Sequence, residues 1–263
     1  MHKLSLIVPV YHQAGTIHRD IRNMIRVLSD ISLPFEIIIV IDGFVDDSLK
    51  EAKKVDDKRV FVTGYKTNHG KGYAVRYGMA KASGDIIGFM DAGGDLKPDG
   101  LPRMLEQFLT MKADIVIGSK RHPDSKVVYP LIRKIYSWVY QQIVRILFGI
   151  NVTDTQVGMK IYRRQVLEDV LPRLLVKQFA FDIEILAVAH HLGYVKIYEA
   201  PVELDFSGIK SSITSVNTWR VIQNMLLDTS AIFYRLKIRK YYDNANIRKW
   251  RFDPELNFRI NIG

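Results

Sequence analysis

Residues 86–96 read IIGFMDAGGDL, an apolar run that closes on Asp91 and is followed by two glycines and a second acid, Asp95. Carboxylates at a strand end are hard oxygen ligands, suited to Mg2+ or Mn2+ ions that keep waters and substrate phosphates in their shell. The tightest such device, Asp-x-Asp, needs an acid at 93, where this chain has Gly93. Two readings stand side by side: a divalent-cation site on Asp91 and Asp95, or a glycine turn with solvated acids.

Other segments carry chemistry of the same kind. Asp42 ends a β-branched run in VIDGFVDDS, where its carboxylate could accept hydrogen bonds from a ribose or a base. Alternatively it shapes a turn while Asp46 caps the helix that follows. In NHGKGYAVRYGMA (68–80), Gly70 and Gly72 flank Lys71 directly ahead of a helical pattern. Helix N-termini attract anions and the lysine adds a point charge, although the spacing is not that of a Walker A loop. Lys120, Arg121, Arg133 and Lys160 are either a solvated basic face or an anion site. In FAFDIEIL, Asp182 and Glu184 read as a base with its partner, or as favourable acids in a first helical turn.

The elements that must position these residues alternate through the first half of the chain. Strand-like runs at 4–10, 35–41, 59–64, 85–91 and 113–119 are separated by helical patterns near 15–30, 46–56, 71–82 and 99–111. Continuous apolar strands alternating with helices predict an α/β fold with a mainly parallel sheet covered on both faces. Ligands of such sheets sit beyond the carboxyl ends of the strands, here 11–13, 42–44, 91–95 and 119–121. Beyond 119 come a basic loop, an acid-free helical stretch at 129–150, a loop into a strand at 154–162 and a helix at 179–194. The strand pair VKIYEAPVEL, a long helix at 214–240 and a polar, basic tail complete the chain. The helix at 129–150 holds Arg133 among Tyr136, Trp138 and Tyr140, a composition that suits a lipid headgroup layer or a core helix with a few exposed cations.

The chain has 263 residues, 48% of them hydrophobic, which permits one sizeable core with appendages. Its net charge of +10 favours anionic partners. No run suits a membrane span or a signal peptide, so a cytoplasmic location is the expectation. With no cysteine, disulfides and thiolate metal sites are excluded. Neither a zinc signature nor an RNP-like aromatic motif supports nucleic-acid binding.

Taken in order, VPVY, VIDGFVDDS, NHGKGYA, GDIIGFMDA and GSKR resemble the landmarks of the family 2 glycosyltransferases with a GT-A (Rossmann-like) fold. DTQVGMKIYRR, FAFDIEIL, PVEL and SGIKSS are similar to that family's polyprenyl-phosphate hexose synthases, dolichyl-phosphate glucosyltransferases first and dolichyl-phosphate mannose synthases next. The resemblance implies inverting transfer of a hexose from a nucleoside diphosphate sugar, with UDP-glucose favoured and GDP-mannose next, to a polyprenyl or dolichyl phosphate. It implies a glycosyltransferase domain over 1–212, with a nucleotide-sugar half (1–119) and an acceptor half (120–212), and an amphipathic, helical and basic extension at 213–263. Pro9, Tyr11, Gln13, Asp42, Lys71 and Asp91 are then expected around the nucleotide sugar, with Mg2+ or Mn2+ on Asp91 and Asp95. Lys120, Arg121, Arg133, Ser137 and Lys160 are expected around the acceptor phosphate. Asp91, Lys120, Arg133 and Asp182 are the catalytic candidates. Attachment to the cytoplasmic face of a membrane is expected to be peripheral, with a membrane-anchoring partner or self-association as further possibilities. A glycan hydroxyl acceptor, with Asp182 as base, and a non-catalytic binding homologue are the alternatives.

Overall fold

The computed structural model describes residues 2–128, 131–205, 218–243, 250–253 and 258–261, with side chains over 2–127, 136–204 and 223–243. The SGIKSS motif therefore lies outside the described residues.

Five strands and four helices alternate first: β1 (Leu4–Val10), α1 (Ile17–Ser29), β2 (Phe35–Asp42), α2 (Ser48–Ala52), β3 (Val60–Tyr65), α3 (Lys71–Lys81), β4 (Ile86–Met90), α4 (Leu101–Thr110) and β5 (Ile115–Ser119). Then come β6 (Lys126–Val128), α5 (Leu131–Phe148), β7 (Met159–Arg163), α6 (Arg164–Val170), α7 (Phe181–His191), β8 (Ile197–Pro201), β9 (Glu203–Asp205) and α8 (Thr218–Phe233). A π-helical turn at Tyr234–Ile238, β10 (Trp250–Asp253) and β11 (Phe258–Asn261) follow.

Seven strands form one sheet in the order β3-β2-β1-β4-β7-β5-β8. Neighbours are parallel except β7, which runs antiparallel to both β4 and β5. The side-chain period of two sorts each strand between faces. On β1, Leu4, Leu6, Val8 and Val10 join α1 and α4 in one core, whereas Ile7 joins α3, α5, α6 and α7 in the other. Helix α1 buries Ile17, Ile21, Met24 and Leu28, the four-and-three spacing of a helix covering a sheet. Helix α3 lies so close to the other face that a Cβ at Gly78 would stand 2.5 Å from Ile7 Cγ2.

Three expectations change. Helix α2 is shorter at both ends, and its late start follows from Asp46 Oδ1 accepting the Ser48 N–H at 3.1 Å. The long C-terminal helix gives way to the π-helical turn after Phe233. The tail contains an antiparallel strand pair, β10 and β11, whose sequences WRFD and FRIN alternate apolar with polar residues at a strand's period.

Candidate active site

The parallel strands β2, β1 and β4 end together at Asp42, Val10 and Met90, and the antiparallel β7 begins beside β4, with Met159 opposite Met90. Strand β5 ends at the same edge in Ser119. Segments 11–13, 42–46, 91–95, 119–121 and 157–158 thus share one rim of the sheet, beyond the strand ends where α/β folds bind ligands.

Asp91 is the first residue after β4. Its N–H donates to the Gly158 carbonyl at 2.8 Å, and its Oδ2 receives the Lys71 ammonium, also at 2.8 Å. Oδ1 is shut from solvent and accepts no hydrogen bond among the described residues. The same lysine reaches Asp182 Oδ2 at 3.4 Å, while Asp182 Oδ1 holds Lys160 Nζ at 2.5 Å. Lys160 also donates to the Val157 carbonyl at 2.7 Å. Two acids and two lysines therefore alternate in one chain, Asp91–Lys71–Asp182–Lys160, which runs from the half-exposed Asp91 to the fully buried Lys160. Both ammonium groups lie just over 5 Å from the Phe89 ring centroid, at 5.3 and 5.1 Å, within cation–π range.

Burial alone would raise the Asp182 carboxyl, but Lys160 and Lys71 outweigh it and hold the group below the ordinary carboxylate range. Burial likewise pulls on Lys71, and the charges of Asp182 and Asp91 override it, raising its pKa. For Lys160 burial prevails and its pKa falls.

The loop after Asp91 explains the missing Asp-x-Asp. Gly93 has φ +113° and Gly94 φ +79°, in the left-handed region that side chains rarely adopt. The Gly93 N–H donates to Asp20 Oδ2 at 3.2 Å, and a Cβ at 93 would come within 3.3 Å of Gln13 Nε2. An acid at 93 would thus be strained on this backbone. Asp95 Oδ1 is also shut from solvent. Among the described residues no three His, Asp or Glu side chains converge into a metal cage. The free Oδ1 of Asp91 nevertheless fits a hard cation that takes most of its ligands from a bound diphosphate and water.

At the ends of β1 and β2, Tyr11 is 47% exposed and Phe44 43% exposed, an aromatic rim beside Pro9. Gln13 is fixed by its N–H to Ser48 Oγ at 2.9 Å and by Thr16 Oγ1 on its Oε1 at 2.9 Å. Asp42 is buried, with its carboxylate turned to the glycine loop. It accepts from His69 N (2.8 Å), Gly70 N (3.0 Å) and Asn68 Nδ2 (3.1 Å). Shaping a turn thus describes Asp42, and it is the turn that presents Lys71. Asp46 likewise pins the rim, accepting from Ala14 N at 3.1 Å.

The expected acceptor cations divide. Arg121 Nη2 donates to Ser137 Oγ at 3.1 Å and Nη1 to the Thr153 carbonyl. Arg133 is one turn ahead of Ser137 on α5, its side chain outside the described residues. Lys120 pairs with buried Asp154 at 2.9 Å. Lys160 does not join them: opposite Phe89 on β4 and Ile117 on β5, it is completely buried in the chain with Asp182. Arg121 also lines a small cleft with Trp138, Gln141, Gln142, Arg145 and Thr153.

One residue of the site escaped the sequence reading. A Cβ at Gly158 would stand 1.8 Å from Asp91 Oδ2, so only glycine leaves room for that carboxylate. The available signal was a glycine at a strand entry, which often marks a close approach.

The family described as Glycosyl transferase family 2 matches residues 5–171. An undecaprenyl-phosphate mannosyltransferase of Micrococcus luteus is 30% identical over 208 residues, 76% of this chain and 82% of the relative. A dolichyl-phosphate beta-glucosyltransferase of Trichomonas vaginalis is 30% identical over 258 residues, 92% of this chain and 77% of the relative. The Saccharomyces cerevisiae dolichyl-phosphate beta-glucosyltransferase is 28% identical over 238 residues, 81% of this chain and 71% of the relative. Among solved structures, glucosyl-3-phosphoglycerate synthase from Mycobacterium tuberculosis, in complex with Mn2+, UDP and phosphoglyceric acid, superposes with a TM-score of 0.66 at 19% identity. The match covers 99% of this chain and 86% of that one. At that identity the likeness is one of fold, a mostly parallel GT-A-like sheet with flanking helices.

Proposed function

The chain belongs to the family 2 glycosyltransferases, and from that premise we propose that it transfers a hexose from a nucleoside diphosphate sugar to a polyprenyl phosphate. The names of the relatives, undecaprenyl-phosphate mannosyltransferase and dolichyl-phosphate beta-glucosyltransferases, support this acceptor class. UDP-glucose is the favoured sugar donor, with GDP-mannose second.

The observation that carries the reading is the state of Asp182. A hydroxyl acceptor needs a base whose pKa lies near the working pH. Asp182 is buried between two ammonium groups that hold its pKa down. A phosphate acceptor needs no base, because its second pKa near 6 leaves it largely ionised at neutral pH. One phosphate oxygen attacks the anomeric carbon, the bond from that carbon to the diphosphate oxygen breaks, and the nucleoside diphosphate leaves with the electron pair. Direct displacement inverts the anomeric centre.

In this scheme Tyr11, with Pro9 and Gln13, bounds the base pocket, and Asp42 holds the loop that aims Lys71 at the diphosphate. Asp91 and Asp95 would hold Mg2+ or Mn2+, which when bound neutralises charge developing on the leaving group. Arg121 and Arg133, with Lys120 beside them, neutralise the acceptor phosphate, and Ser137 offers it a hydroxyl donor. Asp182 and Lys160 position Lys71. The nucleotide-sugar half is assigned to 1–119 and the acceptor half to 120–212.

No helix among the described residues is long and apolar enough to cross a membrane. Peripheral attachment is supported by the outer faces of α5 and α8. Tyr136, Trp138, Val139 and Ile146 are exposed on α5, Ile146 to 81%, and Leu226 and Leu227 on α8. Tyr140 Oη and Thr229 Oγ1, 2.6 Å apart, join the two helices. Such aromatic and aliphatic side chains with exposed Arg145 suit the headgroup boundary of a membrane that supplies the lipid acceptor.

The test is a transfer assay with polyprenyl phosphate in detergent and a panel of UDP- and GDP-hexoses, with Mn2+, Mg2+ or EDTA. Metal-dependent formation of one lipid-linked hexose, lost in D91N and weakened in D95N, is the expected result. No transfer from any donor would refute the proposal.

A further inference from the structure

Glu184 is two residues beyond Asp182 on α7, fully buried, and outside the chain of charges at the site. Its two oxygens face different parts of the molecule. Oε1 accepts from Tyr242 Oη at 2.6 Å and from Arg235 Nη1 at 2.9 Å, both in the C-terminal segment. Oε2 accepts from the Val176 N–H at 2.8 Å and the Leu175 N–H at 3.0 Å. One carboxylate therefore joins the C-terminal segment to the strap at 174–178.

That strap bears directly on the glycine loop. The Lys177 carbonyl accepts from Gly72 N at 2.8 Å and from Tyr73 N at 3.3 Å, in the first turn of α3 immediately after Lys71. No slack separates the two segments. A Cβ at Gly70 would lie 2.7 Å from both the Lys177 carbonyl and Gln178 Nε2, and one at Gly72 would lie 2.6 Å from Phe181 Cβ. Close-packed contacts of this kind transmit displacement instead of absorbing it.

The C-terminal end of the path is equally built. In the turn Tyr234–Ile238, Leu236 is buried and Arg235 points inward, while Tyr234 and Ile238 are exposed. Arg173 Nε also donates to the Tyr242 carbonyl at 3.1 Å, fixing the residue that reaches Glu184. A buried carboxylate deprived of its charged partner keeps neither its charge nor its geometry without cost. Its hold on Val176 and Leu175 then loosens with it.

We propose that Arg235 and Tyr242 are positioning residues for Lys71, acting through Glu184 and the strap at 174–178, so that the C-terminal segment is part of the nucleotide-sugar site's frame. The inference rests on Lys71 facing the nucleotide sugar, as proposed above, and its test has a readout independent of that assignment.

The experiment compares full-length wild type, R235M, R235K and Y242F by amide hydrogen exchange, by UDP and GDP titration calorimetry, and by transfer kinetics. In R235M, exchange at Gly72 and Tyr73 is expected to rise at least tenfold. Nucleotide Kd and the KM for the sugar nucleotide should rise about tenfold, with the KM for the lipid acceptor and exchange in β1 and β2 unchanged. R235K should recover most of the loss, and Y242F should shift the same readouts less. Faster exchange confined to 231–243, with Gly72, Tyr73 and the sugar-nucleotide KM unmoved in R235M and Y242F, would overturn the inference. If R235M does not fold, Y242F decides by the same criterion. Failure of wild type to bind any nucleoside diphosphate would refute the proposed function, while exchange at Gly72 and Tyr73 would still decide the bracing role.

Discussion

Replacing Gly158 by alanine adds one methyl group against the carboxylate on which the account depends. The new Cβ would stand 1.8 Å from Asp91 Oδ2, 2.2 Å from Cγ and 2.9 Å from Cβ, whereas ordinary contact begins at 3.4 Å. The Asp91 carboxylate must therefore move by about 1.6 Å, or the 157–158 backbone must retreat and strain the 2.8 Å bond from Asp91 N to Gly158 O. Either movement breaks the alignment with Lys71. A misplacement of about 1 Å at a reacting centre costs on the order of 100-fold in rate, or about 2.7 kcal/mol of barrier. Overpacking of a single methyl costs about 1–3 kcal/mol of stability, so the protein should remain folded. The assay is the transfer rate at saturating sugar nucleotide and acceptor, with thermal unfolding recorded alongside. A G158A protein within twofold of wild-type rate would refute the reasoning, since either Gly158 would not fix Asp91 or Asp91 would not serve the reaction.

Asp182→Asn separates positioning from base catalysis. It leaves Lys160 and Lys71 buried without their shared acid, so a stability loss of about 3–5 kcal/mol and a large fall in rate are expected. The residual pH–rate profile should keep the wild-type shape, and loss of its acidic limb, where a base must first lose its proton, would indicate a proton-abstracting role. Glu36 accepts from Ser5 Oγ, Lys3 Nζ and Ser83 N; burial pushes its carboxyl up, but these contacts outweigh it and lower the pKa below 4.5. Its stabilisation is therefore present above pH 4.5 and lost as pH falls through the lower folded value. E36Q should flatten that part of the acid-unfolding curve, and an unchanged acid limb would contradict the assignment. Trp138→Ser with Ile146→Ser should lower partition onto anionic vesicles about tenfold, equivalent to about 1.4 kcal/mol, without shifting Tm. Equal partition in a sedimentation assay would remove α5 from the membrane face.

Much of the polar rim at the strand ends was legible because it is local. β-Branched runs ending in Asp42 and Asp91 state both the strand and its polar terminus, and strand–helix alternation brings those termini to one edge. The residues that sequence misplaces depend on a non-local event, the insertion of β7 antiparallel between β4 and β5. That insertion buries Lys160 opposite Phe89 and Ile117 and brings Gly158 onto Asp91, although neither relation has a spacing signature. Glu184 fits a first-turn acid equally well in sequence. Only the return of the C-terminal turn 51 residues later, bringing Arg235, shows what it holds. The Gly93 departure from Asp-x-Asp looks like a lost ligand in sequence. In three dimensions its φ of +113° shows a turn that favours glycine at this position.

The central claim is that the acceptor is an already ionised phosphate. It is tested most directly by offering the protein, with its preferred sugar nucleotide and Mn2+, a polyprenyl phosphate and the corresponding polyprenol in parallel, and identifying the product by mass spectrometry. Hexose is expected on the phosphate and none on the alcohol, with rate following the phosphate's second ionisation. Comparable transfer to the alcohol would contradict the claim and require a base that the buried, doubly paired Asp182 is unsuited to provide.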